Sequence, residues 1–139
     1  MKSLLASLVL LTSLAAHADY TDWKYTRVVD GDTVEFEAKW LLPELGNKIK
    51  IRVYGVDTPE KPPRAQCDKE AQKALAASAF TKTFMTSAKS VSVQVKSWDK
   101  YGGRLLGNIV VDGKSLRDEL IKNNLAREYY GDAKQSWCN

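Results

Sequence analysis

The chain has 139 residues, of which 21 are Lys or Arg, 17 are Asp or Glu, two are Cys and one is His. This length fits one domain of ordinary size, and a composition of 27% charged and 44% hydrophobic residues excludes disordered and fibrous proteins. The formal net charge of +4 permits an anionic partner without requiring one.

The first 18 residues have the pattern of a secretory signal peptide. Basic Lys2 precedes an apolar run over residues 4–14, and Ala16-His17-Ala18 carries the small residues of a cleavage site. A membrane anchor or an ordinary first helix is the alternative, but the run is short for a bilayer span and charged Asp19 follows at once. We expect residues 1–18 to be cleaved and the protein to be exported, periplasmic or secreted, with no membrane anchor.

Cleavage would leave residues 19–139 as a single domain without histidine, because His17 is the only one. Histidine-dependent hydrolases and histidine-ligated zinc sites would then be excluded. The remaining chemistry would use carboxylates, Arg, Lys, Tyr, hydroxyls or a metal held by oxygen. No protein partner is indicated, and a monomer is the expected state.

The two cysteines, Cys67 and Cys138, would both remain after cleavage. In an exported chain an even pair normally forms a disulfide. A reactive thiol or a metal ligand is the alternative, but no histidine would be present to activate a thiolate. We therefore predict a structural disulfide between them.

Apolar residues at alternate positions predict five strands. They fall over residues 23–29, 34–40, 49–53, 91–95 and 105–111, with loops over 41–48 and 98–103. Three prolines interrupt residues 57–64, and an Ala- and Lys-rich stretch over 69–88 predicts a helix. Ser115 is expected to cap a short second helix, before a less regular tail from residue 125. This order is typical of an α+β fold and suggests a small OB-type barrel.

The first of three polar clusters at strand ends is Asp30-Gly31-Asp32-Thr33. One interpretation is a hairpin turn, because Asp-Gly is a common turn signal. However, Asp32 adds a second carboxylate, and paired oxygens at a tight turn suit a hard divalent cation. The residues alone leave both interpretations open.

The second cluster runs from Arg52, on the polar face of a strand, to Glu60. Asp57 and Glu60 flank the stiff Thr58-Pro59 dipeptide, so the two carboxylates can have different roles. One could bind a metal while the other takes a proton from water. The alternative is a proline turn with solvated acids.

The third cluster, residues 99–104, includes Lys100, Tyr101 and Arg104. A solvated hairpin loop is one interpretation. The other is a nucleotide site in which Arg104 holds a phosphate with two hydrogen bonds and Tyr101 stacks on a base or sugar.

Together the three clusters resemble the staphylococcal nuclease (thermonuclease) family, over residues 23–130. Their order, their separations and the helix between the second and third all agree. The resemblance implies a five-stranded OB-fold β-barrel with two to three flanking α-helices. It also implies a Ca²⁺-dependent, sugar-nonspecific endonuclease that hydrolyses DNA and RNA, with water as the nucleophile and 3′-phosphates on the products.

The resemblance further implies a metal site. Asp32 and Asp57 correspond to the carboxylate ligands of Ca²⁺, and the backbone carbonyl of Thr58 corresponds to the remaining ligand that the protein supplies. Asp30 corresponds to an acidic position beside these ligands.

For catalysis, the resemblance implies that Arg52 and Arg104 hold the scissile phosphate and that Glu60 is the general base. The residues that correspond to substrate contacts are Lys100, Tyr101 and Tyr130. The family commonly has one glycine between the tyrosine and the arginine, whereas Gly102-Gly103 supplies two here. Two glycines can absorb an extra residue, so we keep Arg104 in its role.

Two other functions compete with a nuclease. One is a nucleic-acid-binding or scaffold domain that has lost catalysis, and the other is a calcium-binding domain without nuclease activity. A domain that had lost catalysis would be expected to lack some acidic or arginine positions. Since every such position is present, the sequence favours the enzyme.

Overall fold

The computed structural model describes residues 19–39, 44 and 46–139. The expected signal peptide at residues 1–18 lies outside the described residues. So do residue 40, at the end of the second predicted strand, and half of the predicted loop that follows it, residues 41–43 and 45. No helix in the described part of the chain is long and apolar enough to cross a membrane.

The described residues form an α+β fold of nine strands and two helices. In chain order these are β1 (Asp19–Tyr20), β2 (Lys24–Asp30), β3 (Thr33–Glu37), β4 (Lys48–Val53), β5 (Val56–Asp57), α1 (Asp68–Thr86), β6 (Val91–Trp98), β7 (Leu105–Val111), β8 (Lys114–Ser115), α2 (Leu116–Lys122) and β9 (Arg127–Glu128). The five longer strands and both helices confirm the predicted elements. The four two-residue strands were missed, because two residues show no periodicity.

The strands pair in the order β1-β6-β7-β4-β3-β2. In addition, β8 pairs with the C-terminal end of β7, and β5 and β9 form a separate two-stranded sheet. β4 and β7 are parallel, and the other pairs are antiparallel. The parallel pair joins the first three long strands to the last two, which is the OB order. A β2–β6 pairing, which would close the barrel, is not among the pairings of the described residues.

The core lies on the face of this sheet that carries the alternating apolar residues of the strands. Val34 and Phe36 of β3 are fully buried, as are Ile51 of β4 and Ile109 of β7. Leu120 of α2 packs into the same cluster. The period-two pattern of the sequence therefore marked the buried face of the sheet correctly.

Helix α1 packs directly on the β2–β3 turn, which contains the first polar cluster. The buried Thr81 hydroxyl donates a hydrogen bond to the Gly31 carbonyl at 2.6 Å. A Cβ atom on Gly31 would lie 2.7 Å from the Ala77 Cβ, so only glycine allows this close contact. The helix thus holds the turn that carries Asp30 and Asp32.

The structure joins Cys67 to Cys138 in a disulfide, as predicted, with a Cα–Cα distance of 6.0 Å. Cys67 is also the N-cap of α1, so the bond ties the C-terminal strap, defined here as residues 131–139, to the start of that helix. Trp137 in the strap is buried, and the Arg127 guanidinium lies 3.8 Å from the centre of its ring. The strap lacks helix and strand, as expected, yet it is firmly anchored.

Replacing both cysteines with serine should lower the free energy of unfolding by about 2–4 kcal/mol, because the bond closes a long loop in the unfolded chain. The two cysteines are 71 positions apart. Urea unfolding followed by tryptophan fluorescence measures the change. The wild type kept in reductant is the control and should match the variant. Equal midpoints for the variant and the oxidised wild type would contradict the prediction.

Candidate active site

A polar cavity of about 330 Å³ lies where the β2–β3 turn, the end of β4 and the segment after β5 meet. Residues from all three polar clusters and from the C-terminal strap line this cavity. Its lining consists of Asp30, Asp32, Arg52, Thr58, Pro59, Glu60, Arg64, Arg104 and Lys134. The structure thus brings together six of the predicted site residues, with three others that the sequence analysis did not select.

Asp32 lies in the β2–β3 turn and is buried. Its carboxylate accepts a hydrogen bond from the Thr33 hydroxyl at 3.0 Å, and an Arg52 nitrogen lies 3.6 Å away. Burial raises the pKa of Asp32, and the negative charges of Asp30 and Asp57 raise it further. Arg52 and Thr33 oppose this rise in pKa without cancelling it. The protein partners of this carboxylate therefore do not fully offset the cost of its buried charge.

Arg52 reaches the cavity because of the register of β4 against β3, which places it opposite Thr33. Its guanidinium donates a hydrogen bond to the Val56 carbonyl at 3.3 Å. With only 16% of its side chain exposed, Arg52 is held in place rather than extended into solvent. Arg52 is therefore a partly buried cation whose side chain lines the cavity.

Asp57 lies on the short strand β5, opposite Arg127 of β9, and is buried. The Trp137 indole N–H donates a hydrogen bond to its Oδ2 at 3.2 Å, and the Lys134 ammonium lies 2.7 Å from its Oδ1. Burial alone would lower the pKa of Lys134, but Asp57 and Glu60 outweigh it and the pKa rises. Both partners of Asp57 come from the C-terminal strap.

The segment between β5 and α1 presents Glu60. Buried Glu70, near the start of α1, accepts hydrogen bonds from the backbone N–H of Glu60 at 3.1 Å and of Gln66 at 2.7 Å. These bonds fix a segment that its prolines keep free of helix and strand. Helix α1 thus positions Glu60 as well as the β2–β3 turn.

The Glu60 carboxylate has two cationic neighbours. Arg64 donates a hydrogen bond to its Oε2 at 2.9 Å, and Lys134 lies 3.5 Å from its Oε1. Burial alone would raise the pKa of Glu60, but Arg64 and Lys134 outweigh it and lower the pKa. Glu60 is therefore ionised at neutral pH and can accept a proton.

The loop before β7 delivers Arg104. Buried Asp99 accepts hydrogen bonds from the Tyr101 backbone N–H at 3.1 Å and from the Arg104 guanidinium. Gly102 and Gly103 both have φ of +72°, a left-handed conformation that favours glycine. The second glycine is therefore accommodated within the loop, and Arg104 still lines the cavity.

The three predicted substrate contacts lie outside this cavity. Tyr101 is 80% exposed, with the Lys100 ammonium 5.0 Å from its ring centre. The Tyr130 hydroxyl accepts a hydrogen bond from Arg117 at 2.9 Å, and its ring meets Tyr54 edge-on at 5.5 Å. Tyr130 lines a neighbouring cavity of about 610 Å³ that is also lined by Asp57.

Sequence reasoning missed Lys134, Trp137, Arg64 and Glu70. One signal was available for the first two residues. A disulfide from Cys67, which follows Glu60 closely, must draw Cys138 and its neighbours toward the second cluster. Arg64 and Glu70 had no comparable signal, because a charged residue in a loop or in the first turn of a helix is usually solvated.

The donor set fits a hard divalent cation. In the described part of the chain, no three His, Cys, Asp or Glu side chains are grouped as a ready metal cluster. However, burial is the main cause that raises the pKa of Asp32, and the charges of Asp30 and Asp57 add to it, so a cation at this carboxylate would favour its ionised form. Oxygen donors from Asp32, Asp57 and the Thr58 carbonyl are of the type that Ca²⁺ prefers, with water completing the coordination.

The fold and the cavity define an OB-type domain whose site combines buried carboxylates with arginine side chains. The family profile described as staphylococcal nuclease homologue matches residues 50–137. The chain therefore belongs to the staphylococcal nuclease family, which confirms the resemblance seen in its motifs.

Relatives of named function agree with this assignment. A thermonuclease of Staphylococcus hyicus is 32% identical over 117 residues, 81% of this chain and 62% of its own length. Two Bacillus subtilis (strain 168) proteins are also similar. The SPbeta prophage-derived endonuclease YokF is 35% identical over 81% of this chain and 36% of its own length, and endonuclease YncB is 36% identical over 75% and 46%. The chain thus spans less than two thirds of each of these relatives.

Asp32→Asn should raise the free energy of unfolding by on the order of 1 kcal/mol at neutral pH, because it removes a buried charge. A raised pKa in the folded state penalises folding while the carboxyl is ionised, so the gain should shrink as pH falls through that pKa. Thermal unfolding at about pH 7 and about pH 4 measures both effects.

The control for this experiment is Asp112→Asn. Backbone N–H groups of Ser90 and Lys89 hold the pKa of Asp112 below its usual value. Its ionised form therefore stabilises the fold, and the asparagine variant should lower stability at neutral pH. Destabilisation by Asp32→Asn at neutral pH would contradict the prediction.

Proposed function

We propose that this protein is an exported, Ca²⁺-dependent nuclease that hydrolyses phosphodiester bonds of DNA and RNA. Water is the nucleophile, the sugar is not selected, and the products carry 3′-phosphates. The observation that carries the proposal is the cavity in which Arg52 and Arg104 lie with Asp32 and Glu60. The names of the similar thermonuclease and endonucleases support the same activity.

Arg52 and Arg104 bind the scissile phosphate. Each guanidinium can donate paired hydrogen bonds to phosphate oxygens, and each is oriented by protein contacts, to Val56 and to Asp99 respectively. A phosphodiester gains negative charge as water attacks it. Two fixed cations in a recessed cavity stabilise that charge without reorganising during the reaction.

Glu60 accepts the proton of the attacking water. Its lowered pKa keeps it ionised at neutral pH, and Glu70 fixes its backbone. Glu60 is therefore in the deprotonated state that a general base needs, and its backbone is held in a defined position.

Asp32, Asp57 and the Thr58 carbonyl would hold Ca²⁺, and Asp30 supports the site by binding the Lys61 ammonium at 3.0 Å. When bound, the cation supplies positive charge that polarises the phosphate and stabilises its transition state. Asp32 in turn loses the electrostatic penalty of its buried charge.

Flanking nucleotides contact aromatic and basic residues near the cavity. Tyr101 is exposed on the same loop as Arg104, with Lys100 beside it, and offers a face on which a base can stack. Tyr130 lines the neighbouring cavity that contains Asp57. The disulfide supports export, since such bonds persist in oxidising compartments.

Purified protein should cleave single-stranded DNA and RNA with Ca²⁺ present and fail to cleave either with a chelator. Gel electrophoresis measures cleavage. A polymerase should extend the product ends only after a phosphatase treatment, because a 3′-phosphate blocks extension. Absence of cleavage with Ca²⁺ would overturn the proposal, and salt-sensitive binding without cleavage would identify a nucleic-acid-binding domain instead.

Arg52→Ala should lower the cleavage rate by about 10²–10³-fold, because one fixed donor to the charged transition state is lost. Arg27→Ala is the matched control, since Arg27 also pairs with a carboxylate, that of Glu35 at 3.0 Å, but does not line the cavity. It should cleave at the wild-type rate. Circular dichroism checks that both variants fold. Equal losses in the two variants would contradict a role for Arg52 in phosphate binding.

A further inference from the structure

The Lys134 ammonium lies between two carboxylates of the site. It is 2.7 Å from Asp57 Oδ1 and 3.5 Å from Glu60 Oε1, and it lines the cavity that also contains Arg52 and Arg104. The Asp57 carboxylate is buried and its other oxygen accepts the Trp137 hydrogen bond. Lys134 therefore occupies the Asp57 oxygen that the indole leaves open.

Lys134 is held near this oxygen by the strap that carries it. The Cys67–Cys138 disulfide fixes the end of the strap, and buried Trp137 fixes its middle. Arg127 adds a hydrogen bond to the Ser136 carbonyl at 2.9 Å. A lysine on an unanchored tail would spend most of its time away from Asp57. These contacts instead keep the Lys134 ammonium at a high effective concentration beside the Asp57 carboxylate.

We propose that Lys134 is a tethered cation that competes with the divalent metal for Asp57 and thereby sets the metal affinity of the site. This inference rests on the proposed function for the identity of the metal. In the metal-free protein Lys134 pairs with Asp57 and also lies close to Glu60, so its one positive charge offsets part of the negative charge of the two carboxylates. Metal binding must displace the ammonium from Asp57 Oδ1 and then tolerate a like charge nearby, so Lys134 lowers the affinity for the metal.

The test measures metal binding directly, by isothermal titration calorimetry of the full folded protein with CaCl₂ and no nucleic acid. Lys134→Gln should bind Ca²⁺ roughly 5- to 50-fold more tightly than the wild type, because it removes one positive charge that, once displaced from Asp57, repels the cation from a hydrated position with a water-like dielectric. Lys134→Arg retains the charge and should bind within about twofold of the wild type, since the Coulomb repulsion is kept.

Lys73→Gln is the matched control for the loss of one positive charge. Lys73 lies in α1 with its ammonium 5.3 Å from the Trp137 ring centre, and it does not line the cavity that contains Glu60 and Lys134. Its substitution should leave the Ca²⁺ affinity within about twofold of the wild type, because Lys73 does not pair with Asp57 or Glu60 and solvent ions screen its charge.

The outcomes separate this inference from the function on which it rests. Equal or weaker Ca²⁺ binding by Lys134→Gln, beside a wild type that binds, would overturn the inference and leave the nuclease proposal intact. Binding by neither protein would overturn both the inference and the Ca²⁺ site. Binding by Lys134→Gln alone would support the inference, because the competing ammonium would then be the obstacle.

Discussion

Two buried carboxylates, Asp32 and Asp57, impose the constraint on which the rest of this site depends. A carboxylate removed from water is costly unless a cation or several hydrogen-bond donors compensate it. The protein supplies a different set of partners to each. Thr33 and Arg52 serve Asp32, whereas the strap residues Lys134 and Trp137 serve Asp57. The pKa of Asp32 stays raised, chiefly because of burial, so its partners do not fully offset the cost of its charge.

Helix α1 provides the rigid support for these charges. Its Thr81 and Ala77 hold the β2–β3 turn at Gly31, and its Glu70 holds the backbone of Glu60. The same helix begins at Cys67, so the disulfide ties the strap to the element that positions the turn. One helix thus links parts of the site that are distant in the chain. Substitutions on its buried face are expected to act on the site as well as on stability.

Much of the fold followed from simple periodicity. Alternation in β4 and β7 marked the residues that form the core, because each of these strands has one buried face. In β3 the alternating Val34 and Phe36 also lie in the core, but Thr33 and Glu35 on the other face are buried as well. The ladder of β5 and β9 could not be predicted in this way, since its strands have two residues each. The ladder forms because the chain after α2 runs back alongside β5, which places Arg127 opposite Asp57.

The residues of the site likewise divide into those that the sequence indicated and those that it did not. Six site residues could be selected from the sequence because they lie in short motifs with interpretable spacing. Five of them line one cavity, namely Asp30, Asp32, Arg52, Glu60 and Arg104, and the sixth, Asp57, pairs with Lys134 of the same cavity. Trp137 could not be paired with Asp57 in advance, because the two are 80 residues apart and an indole in an irregular tail carries no local signal. Glu70 looked like an ordinary residue of a first helical turn, yet it is buried and binds two backbone N–H groups.

By itself, the sequence determined the α+β order of strands and helices, the family and the composition of the central cluster, because these depend on local periodicity and on residues adjacent in the chain. Only the tertiary structure decided which cations reach which carboxylates. Lys134 contacts Asp57 and Glu60 because the disulfide and buried Trp137 fold the strap back over the site. Burial and through-space charge set the electrostatics of such a site, and both depend on three-dimensional distances that no spacing along the chain contains.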